Sequence, residues 1–369
     1  MKPRKLLSLA RLLLALAATI LSLACQQSQS RTADLYQTGA KPVAAPEARV
    51  TFLSAGDIML SRGVERSISK AGDPLSPFKP LSGVLQSTDF NFANLESPIS
   101  GNDQIIGKGL VFNAHTRDIT GLSKYNFKVL NLANNHAMDQ RLAGLLSTGK
   151  YLDNLGITHM GTGNNLTEAW EPKVITIKGV RVGFVGASYS SVNDGGVARN
   201  DYVARIEDTQ RLKNAIDKLK TQADFIVVTM HAGVEYTRRP NQGQVDFAHA
   251  AIDDGADIVI GAHPHWVQVT EQYKGKYIFY SLGNFIFDQE WSQDTKEGLA
   301  LKITLLSKDA TPLRPSANDP TKAARTTEVE QIELIPVIVE HYSTPRAATD
   351  EEAKKILAKI GLTDRILKP

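Results

Sequence analysis

The sequence predicts a mixed α/β fold. Short apolar runs of strand length recur through the middle of the chain, and amphipathic helical stretches stand between them. Two β-branched runs near the end follow each other with no helix between, which calls for an antiparallel part of a sheet. The first strand is expected at 50–55 (VTFLSA). Further strands are expected at 127–133, 181–187, 225–230, 257–261 and 277–282, and the final pair at 298–306 and 330–340. Asp208 caps a helix whose Leu212, Ala215, Ile216 and Leu219 share one face. Val245, Ala248 and Ile252 form a second stripe, ended by Gly255. The polar, proline-containing stretch 307–328 is expected to be a surface hairpin loop. Thr349 and Glu352 form a capping box ahead of Ala353, Ile356, Leu357 and Ile360, which predicts a closing helix over 349–361. The folded part is thus one domain, residues 49–369.

The segment ahead of Arg49 differs in kind. Residues 1–11 are basic and residues 12–24 are apolar, the pattern of a secretory signal and short for a membrane span. Cys25, the only cysteine, follows at once. The stretch 21–25 (LSLAC) resembles a bacterial lipobox, which implies cleavage before Cys25 and lipid on its sulfur; ordinary cleavage near Ala24 and a retained anchor are the alternatives. One cysteine excludes a disulfide framework. Residues 26–48 are polar and small and read as a flexible tether. The expectation is an exported, membrane-tethered lipoprotein of the bacterial cell envelope.

Charge supports that division. The chain holds 42 Lys+Arg against 39 Asp+Glu, a net +3. Lys2, Arg4, Lys5 and Arg11 lie ahead of Cys25 in a stretch with no acid, so the remainder carries 38 against 39, or −1. A nucleic-acid protein would place its basic excess in the folded part, so that class is excluded. The 42% hydrophobic and 22% charged composition excludes disorder as a whole-chain description.

Chemistry concentrates where apolar strands end in polar side chains, the usual seat of ligands in α/β sheets. Strand one ends at Asp57. The run 91–96 ends at Glu96, and Asn94 shares a face with it in extended chain. The run 130–136 closes on Asn134, Asn135 and His136, with Asp139 after them, and another run closes on His231. The segment 258–265 (IVIGAHPH) places His263 and His265 two apart; Pro264 favours an extended His263, so both imidazoles are expected on one face, a metal-site pattern. Gly261 is expected to let the backbone pass close to a bound group. Asp57, Glu96, Asn135, His231, His263 and His265 form the inventory of a two-metal hydrolase, with a carboxylate able to bridge two cations. Their mixed oxygen and nitrogen donors suit Mn, Fe or Zn, as one ion or two. His115, His159, His249 and His341 lack this setting and are read as structural or exposed.

Six segments occur in an order that resembles the CapA family, associated with bacterial capsule and poly-γ-glutamate production. They are 54–59 (SAGDIM), 92–96 (FANLE), 132–139 (LANNHAMD), 231–236 (HAGVEY), 261–265 (GAHPH) and 280–288 (YSLGNFIFD). That family in turn resembles the calcineurin-like metallophosphoesterases. The resemblance implies a four-layer αββα sandwich of mixed sheets flanked by helices. It implies that Asp57 and His265 hold one metal, that Asn135, His231 and His263 hold the other, and that Glu96 bridges. His136, beside Asp139, would be the general acid or a transition-state contact. Asn94, Glu235, Tyr236 and Asn284 would line the substrate site, and Arg238 and Arg239 could clamp an anion or form a solvated loop. Met59 stands where phosphoesterases have a histidine, which removes one ligand from the Asp57 site. Three functions fit: a metal-dependent phosphoester hydrolase, a binding or assembly protein of a capsule-synthesis complex, and a γ-glutamyl amide hydrolase or transferase. The expected partners are an anionic polymer or phosphoester substrate and the membrane.

Overall fold

The computed structural model describes residues 47–102, 110–189, 200–309, 315–316, 319–323 and 325–368. The signal segment, Cys25 and nearly all of the tether lie outside the described residues.

The apolar runs become two sheets. The larger, nine-stranded sheet contains β1 (Ala48–Ile58), β2 (Phe90–Leu95), β3 (Phe127–Asn131), β4 (Thr158–Met160), β12 (Glu297–Asp309), β15 (Arg325–Glu340) and β16 (Thr344–Ala347). Their order across it is β16-β15-β12-β1-β2-β3-β4. β11 (Asn284–Ile286) also pairs with β1, and β17 (Ile366–Leu367) with β15. The six-stranded sheet orders β5 (Lys173–Ile177), β6 (Val180–Ser188), β7 (Phe225–His231), β8 (Ile258–Ala262), β10 (Lys276–Phe279) and β9 (Thr270–Tyr273). Parallel pairing joins β1 through β4 and β6 through β8. β12 and β15 pair antiparallel, as their lack of an intervening helix requires. Their pairing extends from Glu297 with Ile338 to Asp309 with Arg325, so the expected loop 307–328 gives residues to both strands. The short strands β13 (Pro315–Ser316) and β14 (Asp319–Ala323) pair between them.

Period-two alternation sets the layers. Val50 and Phe52 of β1 join Phe184 of β6, Val227 of β7 and Ile260 of β8 in the core between the sheets. Phe52 stacks on Phe90 at 4.9 Å, and Phe184 meets Phe92 at 5.5 Å. Leu53 and Ala55 face the other way, into the cluster beneath α1 (Arg62–Ala71). Ile226, Val228 and Val259 pack outward against α3 (Thr209–Gln222) and α4 (Gln242–Asp254). The result is two sheets face to face with helices outside each, the expected mixed α/β sandwich. α2 (Arg141–Asn154) follows β3, and α5 (Asp350–Lys359) lies between β16 and β17 with the capping box at Thr349. Among the described residues no helix is long and apolar enough to cross a membrane.

This topology brings the carboxyl ends of β1, β2, β3, β7 and β8 to one place. Close backbone approach holds them there. A Cβ on Gly56 would lie 1.9 Å from the carbonyl oxygen of Gly283, and one on Gly261 would lie 2.0 Å from that of Tyr280. Gly261 therefore admits a neighbouring backbone segment at close range. The expected strand 277–282 ends at Phe279, because the chain turns there toward Gly283 (φ 67°) and β11.

Candidate metal centre

Asp57 sits at the end of β1, Glu96 just past β2, and His231 at the end of β7; all three are fully buried. Their donor atoms lie within 4.8 Å of one another. His231 Nδ1 is 3.7 Å from Asp57 Oδ1, and its Nε2 is 4.0 Å from Glu96 Oε1. Asn135 joins from the loop after β3, with Oδ1 2.8 Å from His231 Nε2. His265 Nδ1 approaches Asp57 Oδ2 at 3.8 Å, and the His263 ring centroid lies 4.8 Å from that of His231. The six expected metal ligands thus share one pocket.

The two histidines reach it by a route other than the expected one. β8 ends at Ala262, and His263 and His265 have φ of 101° and 57°, not extended values. Positive φ is costly for residues with a Cβ, and Arg62 (54°) and Tyr236 (61°) beside the site share it. The turn puts the His263 N–H against Asp57, donating to Oδ2 at 3.1 Å.

An amide relay orients Asp57. Asn131 Nδ2 donates to Asn94 Oδ1 at 3.0 Å, and Asn94 Nδ2 donates to Asp57 Oδ1 at 2.8 Å. Asn94, expected to touch substrate, is committed to this task. Asn284 is committed likewise: its Oδ1 lies 3.0 Å from His265 Nδ1, while its Nδ2 donates to Gln289 and to the carbonyl of Thr295. With Nδ1–H committed to Asn284, the His265 lone pair is on Nε2, the arrangement typical of a metal-ligating histidine.

The donors suit a divalent cation. Both Glu96 oxygens, His231 Nδ1 and His263 Nδ1 are buried and have no hydrogen-bond partner. Burial pushes the Asp57 carboxyl up to about 7. Burial, and then the neighbouring Asp57, raises that of Glu96 well above its ordinary range. Burial also holds His231 and His263 well below the ordinary imidazole value and His265 down to about 3. Neutral imidazoles beside buried carboxyls form a ligand set that a cation would complete. Met59, in place of a histidine, packs in the core with its sulfur accepting the Ser61 N–H at 3.1 Å.

His136 borders this pocket. Its Nδ1 is 2.7 Å from Asp139 Oδ2, and its Nε2 is 3.9 Å from Glu96 Oε1. Burial raises the Asp139 carboxyl, while its bonds to His136 and to the backbone N–H of Phe112 oppose that shift. Tyr236 stands over His265 at 6.0 Å. Glu235 is exposed, yet its charge reaches Glu96. Arg238 is no free clamp: it pairs with Asp294 and Glu297, donates to the Val267 carbonyl at 2.8 Å and lies over Trp266. Arg239 is exposed. Sequence reasoning misses Arg62, Phe112 and Asn131. Asn131 ends a strand, which is a signal that could find it; nothing in the local pattern marks Phe112.

Residues 51–289 match the family described as bacterial capsule synthesis protein PGA_cap. The capsule biosynthesis protein CapA of Bacillus anthracis is 32% identical over 266 residues, covering 70% of this chain and 64% of that protein. The PGA biosynthesis protein CapA of Bacillus subtilis is 33% identical over 249 residues, covering 66% and 65%. The alignments thus span just under two thirds of either relative. Among solved structures, the NAD nucleotidase of Haemophilus influenzae aligns with a TM-score of 0.45 and 11% identity, covering 85% of this chain and 56% of that one.

Proposed function

The chain belongs to the bacterial capsule synthesis protein family PGA_cap, and on that premise we propose that it is an exported, metal-dependent hydrolase of the metallophosphoesterase type. It would act in making a capsule or poly-γ-glutamate polymer of the cell envelope. The observation that carries this reading is Glu96, fully buried, with no N–H or O–H donor to either oxygen and the Asp57 carboxyl beside it. Burial and the neighbouring Asp57 favour the neutral form of such a carboxyl, and a bound cation would displace its proton and pair the charge. Asn135, His231 and His263 would hold one ion and Asp57 and His265 a second, with Glu96 between them. The mixed donors suit Mn, Fe or Zn. Bound, the metal supplies positive charge against phosphoryl oxygens and activates water.

The chain's own residues supply proton transfer and order. With His136 Nδ1–H donated to Asp139, Nε2 on the Glu96 side is the ring atom free to take up and give back a proton. From there that proton can pass to a leaving oxygen. Asn284 fixes the His265 tautomer, and Asn94 fixes the Asp57 rotamer. Glu235 and Tyr236 border the mouth.

Metal analysis of the purified full-length chain tests this, followed by hydrolysis of bis(p-nitrophenyl) phosphate and p-nitrophenyl phosphate with and without Mn²⁺. At least one transition metal per chain and Mn²⁺-dependent turnover are expected. His136→Ala should lower kcat about 100- to 10,000-fold with metal retained, whereas His231→Ala should lose metal. A chain that binds no supplied metal would falsify the proposal. A second reading, an assembly protein with an incomplete site, draws on the thioether of Met59. Metal binding without turnover on either substrate favours it.

A further inference from the structure

Phe112 is 1% exposed and its ring lies parallel to that of His136, with centroids 3.8 Å apart and planes 22° apart. Its backbone N–H donates to Asp139 Oδ2 at 2.6 Å, the oxygen that also lies 2.7 Å from His136 Nδ1. One residue therefore holds the imidazole by its face and the imidazole's carboxylate by its backbone. The ring of Phe112 in turn carries the Arg62 guanidinium, whose carbon is 4.6 Å from the ring centroid. Phe287 adds an edge contact at 6.1 Å. Arg62 is itself fixed. It pairs with Asp288, whose other oxygen accepts the Gly63 N–H at 2.9 Å. Its φ of 54° is a strained value kept only where the surroundings enforce it.

We infer that Phe112 and Arg62 are positioning residues that hold the His136 ring with Nε2 toward Glu96. The catalytic consequence rests on the hydrolase reading; the positional claim rests on the stack alone. The torsion that turns an imidazole is broad and roughly two-fold. A hydrogen bond at Nδ1 fixes one edge of the ring and leaves its plane free to tilt. A parallel ring at 3.8 Å removes the tilt, and the cation over Phe112 holds that ring in turn. A flip would put Cδ2 against Asp139 and Cε1 toward Glu96, breaking the Nδ1 bond and taking Nε2 away from the Glu96 side. Small misplacements of a reacting group cost on the order of 100-fold in rate.

The test uses the full-length chain with ¹³C-labelled histidine, the His136 signals being assigned by their loss in His136→Ala. Wild type should show His136 ring protons shifted upfield by the Phe112 ring current. Phe112→Leu should lose that shift, and Phe112→Tyr should keep it. With bis(p-nitrophenyl) phosphate and Mn²⁺, Phe112→Leu should lower kcat tenfold or more, leave KM within twofold and leave metal content unchanged; Phe112→Tyr should restore kcat. Arg62→Met should give a partial loss of both shift and kcat, and it carries the comparison if Phe112→Leu does not fold. An unshifted His136 in wild type, or an unchanged shift in Phe112→Leu, overturns the stack. A lost shift with unchanged kcat, or loss of metal along with kcat, overturns the positioning role. A wild type that hydrolyses neither phosphoester sinks the hydrolase reading instead, and the NMR comparison then decides the stack.

Discussion

Burial raises the Asp57 carboxyl to about 7 and that of Glu96 well above its ordinary range, while the imidazoles beside them are held well below theirs. These shifts have opposite signs in stability. Below about pH 6.5 the unfolded imidazoles take up protons that the folded ones refuse, so folding weakens as pH falls toward 3. The Asp57 carboxyl keeps its proton when folded up to about pH 7 and loses it near 4 when unfolded, so folding weakens as pH rises from 4 through 7. Above pH 6.5 only the carboxyl effect remains. The chelator-treated chain should therefore lose thermal stability between pH 6.5 and 8, and added Mn²⁺ should restore it. Melting curves across that range check this; a flat or rising Tm without metal counts against the buried carboxyls. Proton release on Mn²⁺ binding, read by calorimetry in buffers of different ionisation enthalpy, should be larger at pH 6 than at pH 8. At this scale the sequence is informative about residue type. Asp57, Glu96, Asn135, His231, His263 and His265 stand out because strands seldom close on such groups. It is silent on partners: Asn94 and Asn284 orient ligands, and Arg238 binds Asp294 and Glu297, acids well beyond its own loop.

The loop after β7 illustrates the scale of elements. It carries Glu235 and Tyr236 to the site and is tied down by Arg238. Asp294 and Glu297 take both Arg238 and Lys359 of α5, so one acid pair joins this loop to the closing helix. Glu297 is nearly buried, with 4% of its side chain exposed, so the pairing is worth more than a surface ion pair. Arg238→Ala should cost about 1.5–3 kcal/mol, the range for hydrogen bonds to charged groups. It should lower the Tm without changing metal content. An unchanged Tm with a raised KM would return Arg238 to the substrate. Strand and helix positions are legible to within a few residues, because burial on alternate faces writes a period into the sequence. The ends are less so. Pro264 argues for an extended His263, but the packing of Asp57 against its N–H holds the chain in a turn. Likewise Ser307–Asp309 are polar and still pair, since a hairpin strand can run past its core.

For the whole molecule, the mixed α/β class follows from the alternation of elements, and the sandwich order is implied by resemblance. Neither gives the placement of β12 between β1 and β15, which depends on pairings between opposite ends of the domain, such as Val50 with Leu305. The molecule's location is a matter of the segment that ends at Cys25. The proposal of export draws on four basic residues, a run of 13 apolar ones and the only cysteine just after Ala24. The folded part carries about −1, so it has no general attraction to an anionic membrane surface. Firm attachment would come from the N-terminal segment, either as a retained helix or as lipid, and a single acyl chain gives only marginal binding. A lipobox-type N-terminus implies a multi-chain anchor on Cys25. The tether of roughly 23 residues would then span up to about 75 Å at about 3.3 Å per residue, enough to present the site to polymer in the envelope. In a bacterial host, the mature chain should begin at Cys25, carry added lipid mass and sediment with membranes. Cys25→Ser should release the chain or leave it unprocessed. If the wild type is soluble and begins near Cys25 without added mass, the lipid is wrong and ordinary cleavage is right. If Cys25→Ser stays in the membrane with residues 1–24 attached and wild type does the same, the segment is a plain anchor.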